Sequence, residues 1–428
     1  MPSARQFGFR DLPFMGVIHV NNEAMKAGWR MGDPEWSNLG QGQPEVGEIA
    51  GAPARLSYLS IDPSDHAYGP VEGISEYREA IAAHYNRLYR RDQASKYTAE
   101  NVCVAPGGRA ALTRLAAAMD HTRVGYFTPD YTAYEDLFVA FPRIEPVHIQ
   151  LKAEQGFRID AESVDRRIQR DRLGALLVSN PCNPTGVVLA GQELGAWVEV
   201  GRRRACTLLM DEFYSHFVYG LPGQASGKGV SAAEFVQDVN TDPVLIIDGL
   251  TKGFRYPGWR SGWVVGPKPI IQTMTAAGSF LDGGASRPVQ RLAIQALQPA
   301  RADQETDAVR AVFAEKQKLT LTRLREAGIR FPVVEKMPAG SPSGTFYAWG
   351  DVTGLPAPLN EGQGFMRAGF GARVLTVPGE YFDVNPGKAR EGRSPLAGFV
   401  RFSFGPPQRN LEAGLNRLVA MIASHKRS

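Results

Sequence analysis

Short apolar runs alternate with longer amphipathic stretches through the middle of the chain. Seven runs have the length of strands, at 102–105, 124–127, 147–150, 175–179, 207–210, 244–247 and 263–265. Stretches such as 110–119 lie between them and have the spacing of a helix with one buried face. Strands that alternate with helices form mostly parallel sheets. The pattern predicts an α/β fold in which a large domain, residues 51–300, surrounds a seven-stranded, mostly parallel sheet.

The last third of the chain has a different pattern. Residues 302–327 are periodic and contain no Gly or Pro before Gly328, which predicts one long helix. The runs at 346–349, 374–377 and 400–404 predict strands, and the Gly- and Pro-rich stretch 380–396 predicts a loop. We therefore expect a smaller α+β domain formed by residues 301–428 and completed by the N-terminal arm, residues 1–50.

Composition excludes several classes of protein. The 428 residues are 43% hydrophobic and 21% charged, as in soluble globular proteins. The net charge is +4, and the lysines and arginines are scattered along the chain. The densest basic run, at 202–204, is better explained as a solvated helix end than as a nucleic-acid patch. No apolar run reaches 18 residues, and Arg5, Arg10 and Asp11 interrupt the N-terminus. We expect no nucleic-acid partner and no membrane partner.

The three cysteines, Cys103, Cys182 and Cys206, are far apart and have no CxxC spacing. This usage argues against a metal site and against a disulfide framework. It predicts a protein of the reducing cytoplasm.

The strongest chemical signal is a lysine that follows an apolar run. Lys252 comes after the run at 244–247, and Arg260 follows eight residues later in a Gly-Trp-Arg sequence. A lysine amine forms a Schiff base with an aldehyde, and a guanidinium holds a phosphate through two parallel hydrogen bonds. A lysine is usually a solvated charge, but the strand before it and the spacing to Arg260 argue against that explanation. These are the two groups that a pyridoxal-phosphate (PLP) enzyme needs.

Other polar residues follow other apolar runs. Asn183, within the sequence SNPCNPTG, follows the run at 175–179, and Asp211, which begins the sequence DEFY, follows the run at 207–210. A glycine pair follows the run at 102–105. Ligands of open α/β sheets collect at the carboxyl ends of strands, so we expect these motifs to converge on one site.

These separated motifs together resemble those of the fold-type I aminotransferases of class I and II, and the resemblance covers nearly the whole chain. It implies a PLP-dependent enzyme that moves an amino group between an L-amino acid and a 2-oxo acid. Lys252 is implied as the catalytic residue, which forms a Schiff base with PLP and then moves a proton between the substrate Cα and the cofactor C4′. Burial near other cations lowers the pKa of a lysine, as such a base requires.

The resemblance assigns four residues to the cofactor ring. Asp211 pairs with the pyridinium nitrogen and keeps it protonated, although an Asp at this place is also a common turn cap. Asn183 and Tyr214 hydrogen-bond the ring 3′-oxygen. Tyr131 stacks on the ring, where simple core packing is the alternative explanation.

The implied phosphate site consists of Gly107, Gly108, Arg109, Thr251 and Arg260. A glycine turn at a helix start presents free N–H groups and a positive dipole end to an anion. Gly249 stands where many relatives have serine, so one phosphate contact is expected to be lost and Arg109 to replace it.

The same resemblance implies the substrate contacts and the assembly. Arg401 grips the α-carboxylate bidentately, because its neighbours Phe402 and Phe404 alternate with it and leave it facing the cleft. Gly42, in the sequence LGQGQP, contributes a backbone contact to that carboxylate. Tyr68, in the sequence HAYGPVEG, reaches the phosphate of the other subunit, which implies a homodimer with shared active sites.

The pocket for the substrate side chain is harder to predict. Phe280, Leu281, Tyr347 and the loop near Phe14 are candidates to line it. The sequence indicates no second arginine for an acidic substrate.

Two other functions remain open at this point. A PLP-dependent lyase, cyclase, synthase or oxidase of specialised metabolism needs the same Lys252, Asp211 and Arg401. A PLP-binding transcription regulator is the more remote alternative, because the motifs begin by Gly42 and leave no room for a DNA-binding domain ahead of them.

Overall fold

A computed structural model of the chain describes Gly8, Phe9, Phe14 and residues 16–427. Its α-helices are α1 (Gly16–Lys26), α2 (Ser75–Tyr89), α3 (Gly108–Ala118), α4 (Ala133–Ala140), α5 (Ala161–Asp171), α6 (Gly191–Arg204), α7 (Lys268–Leu281), α8 (Arg287–Ala296), α9 (Pro299–Glu326), α10 (Pro332–Lys336), α11 (Gly362–Gly371) and α12 (Gln408–Arg427). Its strands are β1 (Ser37–Asn38), β2 (Val102–Ala105), β3 (Thr122–Thr128), β4 (Ile144–Gln150), β5 (Ala175–Ser179), β6 (Thr207–Asp211), β7 (Val218–Tyr219), β8 (Val244–Gly249), β9 (Gly262–Val265), β10 (Ser343–Gly344), β11 (Tyr347–Asp351), β12 (Val374–Leu375), β13 (Val377–Pro378) and β14 (Phe399–Ser403).

Seven strands form one large sheet in the order β2-β9-β8-β6-β5-β3-β4. Strand β9 runs antiparallel to both of its neighbours, and the remaining strands are parallel to one another. All seven predicted strands belong to this sheet, so the predicted α/β fold is confirmed.

The strands of this sheet are apolar without alternation because both faces are covered. Every residue of β5 is buried. Leu177 and Leu209 pack in the same core as Leu112 of α3, whereas their neighbours Leu176 and Leu208 pack on the other face of the sheet. A sheet covered on both faces requires apolar side chains at consecutive positions.

The long helix α9 starts three residues before its predicted start. Pro299 occupies the first turn, where its missing N–H is not needed for an intrahelical bond. The helix ends just before Gly328, whose φ of +100° favours glycine.

A smaller sheet has the order β11-β14-β13 and is antiparallel throughout. The prediction of one strand at 374–377 was wrong. The chain changes partners at Thr376, so that β12 pairs with β1 and β13 pairs with β14. The pairing of β1 with β12 brings N-terminal residues beside the smaller sheet, while the domain boundaries at residues 50 and 300 stay a prediction.

None of the described helices is both long enough and apolar enough to cross a bilayer.

Candidate active site

A cavity of about 850 Å³ opens where β5, β6 and β8 end side by side. Asp211, Lys252 and other residues at or after the ends of these strands line one side of the cavity. We term it the large-sheet side. Residues from the smaller sheet and the N-terminal segment line the opposite, small-sheet side, which includes Gly42, Tyr347 and Arg401. The strand ends thus bring residues that are distant in the sequence to one place.

Eleven of the predicted site residues line this cavity: Gly42, Gly108, Arg109, Tyr131, Asn183, Asp211, Tyr214, Thr251, Lys252, Arg260 and Arg401. Gly107 lies directly behind the lining, where a Cβ would collide with the guanidinium of Arg260. Tyr68 is outside the lining, and 98% of its side chain is exposed in the single chain.

The predicted side-chain pocket is only partly found. Tyr347 lines the cavity, but Phe280, Leu281 and Phe14 do not. Phe280 and Leu281 lie at the exposed end of α7, because the face of that helix that packs against the sheet carries other residues, such as Met274. Their assignment to the substrate pocket stays a prediction, and most of the loop near Phe14 lies outside the residues that the structure describes.

Lys252 is half-buried at the centre of the cavity, and its Nζ donates a hydrogen bond to the carbonyl oxygen of Gly42. Burial, together with the nearby guanidinium of Arg401, lowers the pKa of the Lys252 amine to about 7. The carboxylate of Asp211 opposes this shift. The amine is therefore close to half deprotonated at neutral pH, which suits a base or a nucleophile.

Asp211 ends β6 and is only 6% exposed. Burial raises the pKa of its carboxyl to about 6, while a hydrogen bond from Tyr134 holds that pKa down. The Tyr134 hydroxyl lies 2.6 Å from Asp211 Oδ2. Sequence reasoning missed Tyr134, and the only signal for it was its position three residues after Tyr131 at the start of α4.

Arg401 lies in β14 between β11 and β13 and is 2% exposed. Its Nη1 donates to Asn183 Oδ1 at 2.9 Å and its Nη2 to the Gly40 carbonyl oxygen at 3.0 Å. Its guanidinium carbon lies 3.9 Å from the centre of the Tyr347 ring. All of these partners are neutral, and Nε has no hydrogen-bond partner within the described chain. A buried cation held in this way is prepared to accept an anion.

Arg109 and Arg260 are the other guanidiniums of the cavity lining. Arg109 Nε donates to the Tyr131 hydroxyl at 3.1 Å, and Arg260 Nη1 donates to the Pro257 carbonyl oxygen at 3.1 Å. Within the residues that the structure describes, no carboxylate forms an ion pair with either of them or with Arg401. Three guanidiniums that lack an acidic partner indicate a site for anionic ligands.

Two glycines and an unpaired hydroxyl lie near Arg260 at the cavity wall. Gly107 precedes α3 with a φ of +92°, and a Cβ on Gly108 would collide with the Phe213 ring. Gly108 lines the cavity, so the free N–H groups at the start of α3 are reachable from it. The hydroxyl of Thr251 is buried and has no partner among the described atoms. These features fit a phosphate group.

Gly249 lacks a side chain for a steric reason. A Cβ there would lie 2.5 Å from the carbonyl oxygen of Ser261 on the chain leading into β9. Serine would not fit without a shift of that backbone, and this explains the departure from the relatives noted in the sequence.

Tyr214 and Tyr347 connect the two sides of the cavity. Their hydroxyl groups lie 3.0 Å apart, and burial raises the pKa of the Tyr214 hydroxyl well above its usual range. Both hydroxyls therefore stay protonated and are available as hydrogen-bond donors at neutral pH.

Comparisons with known proteins agree with this arrangement. Residues 34–418 match the family described as aminotransferase class I and II. The chain is 30% identical to a probable aspartate/prephenate aminotransferase of Thermus aquaticus over 83% of each protein. It is 25% identical to aromatic-amino-acid aminotransferase 2 of Thermococcus litoralis, over 91% of this chain and 92% of that one.

The fold comparison gives the same family. The solved aspartate aminotransferase from Thermus thermophilus with maleate superposes with a TM-score of 0.75 at 25% identity, over 98% of this chain and 99% of that one. An aminotransferase from Mycobacterium tuberculosis shares the fold with a TM-score of 0.76 over 99% of both chains. The predicted family and the predicted transfer of an amino group are confirmed: the chain belongs to the class I and II aminotransferases and is an enzyme of that family.

Proposed function

We propose that this aminotransferase uses PLP held covalently by Lys252, and that its substrates are an L-amino acid and a 2-oxo acid. One observation carries the proposal. A single cavity contains an amine with a pKa of about 7, a buried carboxylate and three guanidiniums without acidic partners in the described chain. This set matches a reaction between a phosphate-bearing aldehyde and an amino acid, each of which brings an anion.

The two anions are assigned to opposite sides of the cavity. We assign the phosphate to Arg260, Thr251, Arg109 and the turn at Gly107 and Gly108, because the free hydroxyl and the start of α3 lie there. The α-carboxylate of the substrate is assigned to Arg401 on the small-sheet side, with the backbone at Gly42 beside it.

Bound PLP supplies an aldehyde that links to amines and a pyridinium ring that withdraws electrons from the substrate Cα. Asp211 would hold the proton on the ring nitrogen, and Tyr134 orients that carboxylate through its 2.6 Å hydrogen bond. Asn183 and Tyr214 would donate to the oxygen on the ring, and Tyr131 would stack on the ring.

Lys252 performs the proton transfer. Its amine is neutral above a pKa of about 7, so at neutral pH a large fraction of it is ready to remove the proton from the substrate Cα. Burial and three neighbouring guanidiniums keep the pKa low. An exposed lysine would be almost entirely protonated under these conditions.

A single-turnover experiment tests the proposed reaction. The purified protein is loaded with PLP and mixed with one amino acid at a time, including aspartate and the aromatic amino acids that appear in the names of its relatives. We expect one equivalent of 2-oxo acid and conversion of the cofactor to pyridoxamine phosphate. Release of ammonia with the cofactor still in its aldehyde form would instead identify the lyase, cyclase, synthase or oxidase alternative.

We also propose a homodimer with shared active sites. Large apolar side chains are exposed at Tyr58, Ile61, Tyr68 and Phe280. The segments of Tyr68 and Phe280 are neighbours, because a Cβ on Gly284 would lie 3.4 Å from Val71. Exposed apolar surface of this kind is typical of an interface.

Mixed dimers test whether Tyr68 serves the neighbouring site. We expect Lys252→Ala and Tyr68→Ala dimers each to be inactive, but a heterodimer contains one site with both defects and one with neither. After co-refolding, each heterodimer should recover up to about half of the activity of a wild-type dimer. Background activity in a confirmed heterodimer would remove Tyr68 from the site.

The cellular location is proposed on the cysteines. Cys103, Cys182 and Cys206 are all buried free thiols, which is the usual state in a reducing compartment. We propose the cytoplasm.

A further inference from the structure

The segment from Gly40 to Gly47 touches both of the central cations of the cavity. The carbonyl oxygen of Gly40 accepts a hydrogen bond from Arg401, and that of Gly42 accepts one from Lys252. Because the segment has no regular secondary structure apart from turns and bends, its position depends on anchors outside the cavity.

The first anchor is Arg255, three residues after Lys252. Its Nη1 donates to the carbonyl oxygens of Gly47 at 2.5 Å and Glu45 at 3.2 Å, and its Nε donates to Glu305 at 2.6 Å. The side chain is fully buried. Its backbone N–H donates to the Lys252 carbonyl oxygen at 3.0 Å, so that one residue connects the lysine turn to the segment.

The backbone of Arg255 has an unfavourable conformation that its contacts hold in place. Its φ is +58°, in the left-handed region that residues with a Cβ rarely adopt. Such a conformation persists where surrounding contacts determine it, and here they are the hydrogen bonds of the buried guanidinium together with the one that the backbone N–H donates to Lys252 and the one that the backbone carbonyl oxygen accepts from Arg55.

A second anchor fixes the other side of the same segment. Lys316 Nζ donates to the Glu45 carboxylate and, at 2.6 Å, to the Pro406 carbonyl oxygen. The Glu45 N–H donates to the Gly405 carbonyl oxygen at 2.7 Å. The segment is thus tied to the end of β14 by Glu45 and to the lysine turn by Arg255.

We propose that Arg255 is a positioning residue, which fixes the Gly40–Gly47 segment so that the Gly42 carbonyl faces Lys252 and the Gly40 carbonyl faces Arg401. The inference rests on the proposed roles of Lys252 and Arg401. It predicts that a change at Arg255 acts on substrate binding, although Arg255 does not line the cavity.

The test uses Arg255→Gln, Arg255→Lys and a matched control, Arg202→Gln. Arg202 also holds a buried carboxylate, that of Asp242, with two hydrogen bonds, and also donates to a backbone carbonyl oxygen. It lies in α6 and is outside the cavity lining. Thermal unfolding of all three variants measures the loss of stability that each buried ion pair causes.

Two further readouts separate positioning from stability. In the protein without added cofactor, we expect hydrogen exchange of the peptide 40–47 to be faster by about tenfold in Arg255→Gln. In the loaded enzyme, we expect the KM for the amino acid to rise about tenfold while kcat changes much less. Arg255→Lys, which keeps one cationic donor, should recover part of both, and Arg202→Gln should change neither.

The inference is overturned if the Arg255 variants lose stability as Arg202→Gln does but keep the wild-type exchange at 40–47 and the wild-type KM. If Arg255→Gln does not fold, Arg255→Lys decides between these outcomes. Wild-type protein that fails to transaminate would contradict the proposed function, whereas the exchange experiment would still test the position of the segment.

Discussion

The two sides of the cavity hold buried charge in different ways. On the large-sheet side, Asp211 and Lys252 both titrate, and burial moves the pKa of the carboxyl up to about 6 and that of the amine down to about 7. On the small-sheet side, Arg401 is as deeply buried but cannot lose its proton. It is instead surrounded by neutral oxygens and an aromatic ring.

This difference indicates that the two sides have different roles, proton transfer on the large-sheet side and binding on the small-sheet side. Groups whose pKa lies near neutrality can move protons, and a permanent cation can only bind. Substitutions on the large-sheet side should therefore lower kcat, and substitutions on the small-sheet side should raise KM. The predictions below, from the largest effect to the smallest, test this separation.

Asp211→Asn removes the buried carboxylate from the large-sheet side. A neutral amide cannot hold a proton on the ring nitrogen, so we expect kcat to fall by about 10²-fold or more with KM little changed. Steady-state kinetics measure the loss, and the absorbance of bound cofactor serves as the control for loading. A rate near that of the wild type would mean that another group serves the ring nitrogen.

Arg401→Lys keeps the charge on the small-sheet side but loses the planar pair of donors. We expect KM for the amino acid to rise by about 10- to 100-fold, because a bidentate charged contact is reduced to a single one. Arg330→Lys is the matched control, since Arg330 pairs with Asp351 outside the cavity lining. An unchanged KM, or a loss confined to kcat, would contradict the separation of the two sides.

Tyr134→Phe removes the hydroxyl that donates to Asp211. We expect kcat to fall about tenfold, in line with the loss of one hydrogen bond to a charged group. Since that bond holds the pKa of Asp211 down, its removal should move the acid limb of the kcat profile to higher pH. The control is Tyr97→Phe, because the buried Tyr97 hydroxyl has no partner within the described chain. Equal pH profiles for the two variants would exclude this role of Tyr134.

The rate at which the cofactor-free protein captures PLP should follow the protonation of Lys252. The neutral amine reacts, so with a pKa of about 7 the rate should rise with pH through a midpoint near pH 7 and level off at higher pH. Asp211→Asn should move this midpoint to lower pH, because the carboxylate raises the pKa of the amine. Absorbance after mixing measures both rates, and a midpoint near 10 would show that the amine is not desolvated.

The sequence predicted the large-sheet side well because its residues follow strands. Asn183, Asp211 and Lys252 each come after an apolar run, and parallel strands bring their carboxyl ends together. The sequence did not predict the contact of Tyr134 with Asp211, since the partners are 77 residues apart and meet only through helix packing.

The small-sheet side depends more on contacts that no local pattern contains. Arg401 was predicted, but the Gly40 carbonyl that holds it lies 361 residues away. Phe280 and Leu281 lie outside the cavity of the single chain, and an apolar pattern could not show this because it does not tell which end of a helix faces a cavity. The anchoring role of Arg255 also has no local signal, because its acceptors belong to the N-terminal segment.

The central claim is that Lys252, among all lysines of the chain, carries the cofactor. Borohydride treatment of the PLP-loaded protein, followed by digestion and mass spectrometry, fixes and locates the attachment. The account predicts the reduced cofactor on the peptide that contains Lys252 and no attachment in Lys252→Ala. Recovery of the cofactor on a different lysine, such as the buried Lys316, or full turnover by Lys252→Ala, would contradict it.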